Sequence, residues 1–407
     1  MTVRVSKPKF NLREKISELD KPTGLKGNEL MRSDTSQQAR DLISAGRKNM
    51  VINGSFQVAQ RGTSLLRSGV GNIYGTVDRF EVNWFGGGFS GNHATESQST
   101  DAPPGHSYSY KVNTEIAQDF SSALGTWIIH RFEGNQLRPL KTENLGYKPF
   151  TVSYWVKASK AGFTTLAVET ANGGNGSTGH SFSTAIPIHN ANTWEYKTFT
   201  FPASPPDQLY QGEFRSTDNE LTLFFGRGSN GSWLVDTDDQ WNLYNGNRGV
   251  LSSKQTNFCE SVNDYIAIAG VQMEVGENAT EFEHRSYGEE LELCQRYFFR
   301  MKPNNSYSAY GMGGAYSTSQ AVALIHFPVP MRKVPDFSYN GSLSQFYDKV
   351  GGGTNFTSIA VTQVMGDTIT GIPHLELLVL GTFTAGNPFI LSTFNNTSTY
   401  FDFEADM

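Results

Sequence analysis

PFTVSYWVKAS, residues 149–159, alternates Phe150, Val152, Tyr154 and Val156 with Thr151, Ser153, Trp155 and Lys157. A side-chain period of two puts the first set on one face of a strand and the second on the other. The same signature continues on either side. Trp194, Tyr196, Thr198 and Thr200 alternate with Glu195, Lys197, Phe199 and Phe201, so both faces of that strand carry apolar cover. Leu221, Leu223 and Phe225 form another run, and Tyr265, Ala267, Ala269, Val271, Met273 and Val275 a longer one. Between them lie turn signals such as Asn172-Gly173-Gly174-Asn175-Gly176 and Asn245-Gly246. Many short strands with Gly and Asn turns predict a two-sheet β-sandwich of jelly-roll type over residues 50–285. Its long connections, residues 202–212 and 236–254, are where binding tends to sit on such a scaffold.

Composition agrees with a mainly β protein. The 407 residues include 41 Gly and 13% aromatics but only 18% charged side chains. Aromatics suit a half-buried pleated face, and Gly supplies the positive-φ positions of tight connections. At roughly 150 residues per domain the length implies two to three domains. A formal charge of −6 lacks the basic footprint of a nucleic-acid binder. No stretch approaches the ~18 apolar residues of a membrane helix, so membrane insertion is not expected. The start, MTVRVSKPKFNLREK, has no apolar run of signal-peptide length, which implies synthesis in a cytoplasm. Cys259 and Cys294 lack CxxC spacing and read as buried free thiols.

Residues 1–49 read as an arm rather than a domain. They carry eleven basic and six acidic residues, net +5, against net −11 for the remainder. Leu12, Ile16 and Leu19 recur at helical spacing until Pro22, Gly24 and Gly27 stop the pattern. A second helix is signalled by Asp34 with Gln37, continues through Ala39, Leu42 and Ile43, and closes at Gly46. Helices this short are marginal alone, so their apolar stripes need a partner surface. That surface is either this chain's own body or a larger assembly.

After the sandwich, Ser286 and Glu289 form a capping box, Leu291, Cys294, Tyr297 and Phe298 share a face, and Pro303 marks an end. The spacing predicts a linking helix over residues 286–302. Residues 303–407 then read as a small β-rich domain. Residues 321–327 are a nearly continuous apolar run, Leu375, Leu377 and Val379 alternate with Glu376 and Leu378, and Phe401 and Phe403 alternate with Asp402 and Glu404.

Three stretches resemble virion fibre and tail proteins of marine tailed phages, including those that infect cyanobacteria. They are residues 7–64, from KPKFNLREKISELDKPTG to NMVINGSFQVAQRGTS; PFTVSYWVKAS with NTWEYKTFTFP, a pairing similar to carbohydrate-binding jelly-roll modules; and DYIAIAGVQMEVGENATEFEHRSYGEELELCQRYFFR, residues 264–300. In the last of these Gly270 and Gly276 bracket a strand, with Gln272 and Glu274 on its polar face and Arg285 just before the helix. The resemblance implies a virion structural protein, assembled in the host cytoplasm, that is a short tail fibre or fibre-like adhesin touching the host surface. It implies other virion proteins as partners, docked through Leu12, Arg13, Lys15, Ile16, Leu19, Leu42 and Ile43 of the arm. It also implies a homotrimer, for which residues 321–327 with Phe401 and Phe403 are the expected contact. A heptad run or triple-β-helix repeat is missing, which favours a short knob over a long shaft. A virion-associated polysaccharide depolymerase and a capsid knob or decoration protein are the alternatives.

The chemistry-bearing residues are sparse. Trp233, Asp236, Asp238, Asp239 and Trp241 combine carboxylates with indoles, which suits a glycan or ion contact. A glycosidase would need an Asp/Glu pair roughly 5 to 9.5 Å apart, a separation that sequence cannot place. The cluster lacks the Gly and terminal Glu of an EF-hand, and the plainer reading is a solvated acidic loop anchored by its tryptophans. Trp155, on a strand, either lines a sugar site or packs on an adjoining element. The histidines are scattered with no zinc spacing, and no nucleophile elbow or phosphate-binding loop occurs. No catalytic residue, metal or cofactor is therefore expected.

Overall fold

The computed structural model describes residues 47–407 apart from 86–90, 121–124, 143–145, 171–178, 206–218, 230–232, 236, 245–249, 353–355 and 368–370. The arm with its two expected helices, including Leu12, Arg13, Lys15, Ile16, Leu19, Leu42 and Ile43, lies outside the described residues, as do the expected turns at 172–176 and 245–246. Contacts divide the chain into Met1–Lys48 and Asn49–Met407.

The second unit is mainly β. Its first sheet has six strands in the spatial order Ser64–Ser68, Asn92–Ser99, Ser109–Thr114, Tyr265–Val275, Phe150–Ala158 and Glu195–Phe201, each antiparallel to its neighbour. Facing it are seven strands in the order Trp241–Tyr244, Gly179–Ile188, Gly162–Thr170, Asn219–Ser229, Gly125–Glu133, Phe80–Phe85 and Gly71–Ile73. Phe150, Val152, Tyr154 and Val156 meet Leu221, Leu223 and Phe225 in the core between the sheets, so the alternation in residues 149–159 points its apolar set inward. The result is a two-sheet β-sandwich.

One strand departs from its sequence pattern. Tyr265–Val275 is a single strand that runs through Gly270, which sits at a bulge with φ +56 instead of at an end. The extra residue reverses the alternation. Before the bulge Ile266 and Ile268 enter the core and Tyr265, Ala267 and Ala269 face the other way; after it Val271 and Met273 enter. The run written as one face is therefore two.

Residues 49–61 form a wedge rather than a strand. Met50 donates its N–H to the Met273 carbonyl, and Val271 donates to the Gly54 carbonyl, both at 2.9 Å. A Cβ on Gly54 would lie 2.0 Å from the Val271 oxygen, so only glycine permits this approach. Asn53, fully buried with φ +60, donates through its side chain to the carbonyls of Val58 and Asp78, both at 2.8 Å. Arg285 ties the wedge to the helix, donating to the Val51 carbonyl at 3.0 Å and pairing with Glu290 at 3.2 Å.

The helix spans Tyr287–Gln295, with the Ser286/Glu289 capping box in place. It is shorter than the 286–302 expected. Phe298–Met301 leaves the helical path because it pairs with Phe401–Glu404, a partner a hundred residues away that no local signal announces. Asp336–Tyr339 flanks the same terminal strand, giving a three-stranded sheet.

A six-stranded antiparallel sheet completes the unit, in the order Phe346–Asp348, Pro388–Thr393, Ala309–Ala315, Gln320–Met331, Gly371–Leu380 and Ser358–Asp367. Ala321, Ala323, Ile325 and Phe327 enter this region's own core together with Phe401 and Phe403. Side chains committed to that core are not available as the subunit contact expected of them. The segments 50–285 and 303–407 thus hold distinct cores, yet Asn49–Met407 forms one compact unit. Cys259 and Cys294 are buried and free. Among the described residues no helix is long and apolar enough to cross a membrane.

Candidate functional site

The outer face of the first sheet carries an array of aromatic and polar side chains. Trp155 and Tyr196 are directly opposite on adjacent strands, a register set by the seven paired positions of Phe150–Ala158 and Glu195–Phe201. Their ring centroids are 5.3 Å apart and inclined by 51°. Tyr196 is 46% exposed and Trp155 half-buried. Cross-strand aromatics at this spacing brace each other while leaving ring surface to solvent.

Further along the same face the connection after Asn92–Ser99 crosses above the sheet. Its Asp101 accepts from Lys157 Nζ at 2.8 Å and from Trp194 Nε1 at 3.1 Å, so one carboxylate joins a strand to a turn and fixes an indole. The Lys157 hydrogen bond, against slight desolvation and helped by Trp194, holds the Asp101 carboxyl below its ordinary value. Trp194 is presented by a turn that Glu195 shapes, its Oε1 accepting from the backbone N–H groups of His189 and Asn190 at 2.9 and 2.7 Å. In the same turn Asn192, with φ +56, accepts from the Tyr265 hydroxyl at 2.7 Å, and Lys111 Nζ lies 4.1 Å above the Tyr265 ring. The bulge at Gly270 makes this possible by putting Tyr265 on the outer face. His106 of the crossing connection packs over Gly270, where a Cβ would lie 2.5 Å from the imidazole.

The array combines partly exposed ring faces with charged and amide groups already held by hydrogen bonds. Such a surface can stack the apolar face of a flat or ring-shaped ligand and exchange hydrogen bonds with its hydroxyls. Trp155 was legible from sequence, whereas Tyr196 read only as a strand residue. Asp101, Lys111, Tyr265 and the turn that carries Asn192 and Trp194 come from separate segments, and only the pairing register brings them together.

The cluster singled out around residues 233–241 is dispersed. Trp233 is buried against Phe85 and Trp127, with ring centroids 4.4 and 5.2 Å away, in a small core on the outer face of the second sheet with Phe224, Val250 and Leu251. Asp238 accepts from the Ser252 hydroxyl at 2.7 Å and lies 3.6 Å from Lys254. Asp239 is exposed, and its N–H donates to the Ser183 carbonyl at 2.8 Å. Trp241 sits on an edge strand, packing on Phe182 at 5.4 Å and donating to the Pro202 carbonyl at 3.1 Å. Asp236 lies outside the described residues. The tryptophans anchor the segment. Among the described residues no group of three or more His, Cys, Asp or Glu side chains is arranged to hold a metal.

No protein-family model matches the chain, and no curated protein matches it either. Among solved structures, 56% of the chain is similar to the enzymatically active domain of tailspike protein 4 of bacteriophage CBA120, at 13% identity and a TM-score of 0.31. The chain spans 21% of that tailspike's length. It is also similar to the family 11 carbohydrate-binding module of Clostridium thermocellum, at 10% identity and a TM-score of 0.26 over 52% of this chain and 100% of the module. An exo-β-agarase matches at 10% identity and a TM-score of 0.25, over 67% of this chain and 41% of the enzyme. At such scores these neighbours assign neither ligand nor activity to this chain.

Proposed function

We propose that this chain is a non-enzymatic structural adhesin of a tailed-phage virion, docked to other virion proteins by its arm and binding a host-surface glycan through the outer face of a jelly-roll sandwich. The observation that carries the glycan reading is the pairing of Trp155 with the exposed Tyr196, flanked by Lys157, Asp101, Trp194 and Tyr265. Paired aromatics on a solvent-facing sheet offer a stacking surface, and a sugar ring has both an apolar face to stack on it and hydroxyls for the polar rim. The virion placement and the homotrimeric assembly rest on the resemblance of residues 7–64 and 264–300 to phage fibre and tail proteins. Because Phe401, Phe403 and the inward residues of 321–327 are used internally, a trimer contact has to come from other surfaces.

Affinity electrophoresis of the purified protein through host capsular and lipopolysaccharide glycans tests the reading. Retardation by one glycan, reduced at least ~10-fold in Trp155→Ala and Tyr196→Ala with little change in melting temperature, is the expected result. Equal retardation of wild type and both variants defeats the assignment of the site. Release of reducing ends that disappears in Asp238→Ala would establish the depolymerase alternative instead. Light scattering that gives a monomer mass would remove the trimer.

A further inference from the structure

A second feature, remote from the aromatic array, is a pair of imidazoles on the six-stranded sheet. His326 and His374 are directly opposite on the antiparallel strands Gln320–Met331 and Gly371–Leu380. Both belong to the outward-facing row, with Leu324 and Glu376, then Val322 and Leu378, as the next opposed pairs. His326 is exposed and His374 half-buried. Their ring centroids are 5.4 Å apart and their planes inclined by 52°.

We propose that His326 and His374 chelate a divalent transition-metal ion of the zinc, nickel or copper class. Imidazole nitrogen suits these ions, and neutral His is their commonest protein ligand. Directly opposed residues place their Cβ atoms about 4.5–5.5 Å apart, close enough for two imidazoles to converge on one ion. With metal–nitrogen bonds of about 2.0–2.1 Å and a tetrahedral angle, two chelating rings have centroids roughly 5 Å apart. The observed 5.4 Å meets that requirement with only a rotation of the rings about their side-chain bonds. Water takes the other coordination positions, so the ion binds reversibly from solution.

The position gives the ion work to do. His326 is the last residue paired with Gly371–Leu380 before the register shifts, and pairing resumes only at Met331 with Ile372. Pro328 and Pro330 lie in the gap and cannot donate to a ladder. A metal across His326 and His374 therefore staples the two strands where their hydrogen bonding lapses. Binding only the folded form, it stabilises the sheet by mass action.

Calorimetric titration of the full-length protein with Zn2+, and separately Ni2+, together with thermal melts in each ion, tests the proposal. One ion per chain is expected, with a raised melting temperature, and both effects should weaken at least ~10-fold in His326→Ala and in His374→Ala. His326 is exposed, so its variant should melt as wild type without metal, which separates lost ligation from lost folding. No binding by the wild type in the micromolar to sub-millimolar range overturns the site. So does binding that survives both substitutions but vanishes in His284→Ala, since His106 and His284 form another close imidazole pair, at 5.6 Å.

Discussion

At the scale of single residues, the wedge and its surroundings show how backbone space and charge select side chains. Gly54→Ala forces a methyl against the main-chain oxygen of Val271, within a sandwich strand, so neither partner can yield by a rotamer change. The expected cost is about 2–3 kcal/mol, seen as a lower urea midpoint at unchanged slope. Asp78 shows the electrostatic side. Burial pushes its carboxyl up to about 6, against the opposing pull of Arg61 and the Gln60 hydrogen bonds. The folded state therefore holds this proton more tightly than the unfolded chain, whose Asp titrates near 3.8. The stabilisation is complete below about pH 4 and is lost as pH rises through about 6. In Asp78→Asn that dependence disappears, while Arg61 keeps Glu404 and Asp406 as partners. Subtracting the variant's stability from the wild type's across pH 4 to 7 should leave a descending curve of at most about 3 kcal/mol. A flat difference would mean that Asp78 titrates alike in both states.

At the scale of elements, what was legible is what local chemistry decides. The strand at residues 150–158 and the terminal strand at 401–404 point their apolar sets inward as their alternation says, because a buried face has to be apolar wherever the strand lies. The helix start was equally readable, since Ser286 and Glu289 cap it with neighbouring atoms. Ser286→Ala should cost about 1 kcal/mol, measurable as a shift in the denaturation midpoint. The helix end was not readable, because Tyr297 and Phe298 continue its apolar stripe and only a distant strand diverts them. Nor was the phase reversal at Gly270, where Tyr265, Ala267 and Ala269 look like a core face and instead build the outer one. The candidate site inherits this limit. Its residues become neighbours through cross-strand register, which no single segment encodes, whereas Trp233, Asp238 and Trp241, close in sequence, have separate surroundings.

At the scale of the whole unit, Asn49–Met407 is held together by charged groups buried where its parts meet. Asp406, next to the last residue, pairs with Arg79 at 3.3 Å and also with Arg61. Arg79 is fully buried, donates to the Arg131 carbonyl at 2.7 Å and lies 3.4 Å over the Tyr297 ring, so it joins the sandwich to the turn that follows the helix. Arg300 clasps Asp402 of the terminal strand and donates to the Arg61 carbonyl at 2.8 Å, while Arg332 donates to the Ala405 carbonyl at the same distance. The chain's end is thus a tie between both cores. Removing Asp406 leaves the buried Arg79 without the carboxylate it pairs with, at a cost of about 3–5 kcal/mol, while Arg61 keeps Asp78 and Glu404. Asp406→Ala should therefore destabilise the sandwich as much as the terminal sheet, although the substitution lies more than three hundred residues from Arg79 in sequence. Calorimetry of residues 49–407 is expected to give a single unfolding peak that moves as a whole to lower temperature in the variant. Two peaks, of which only the one belonging to the C-terminal sheet moves, would show that the cores unfold separately and that the ion pairs merely touch across a boundary.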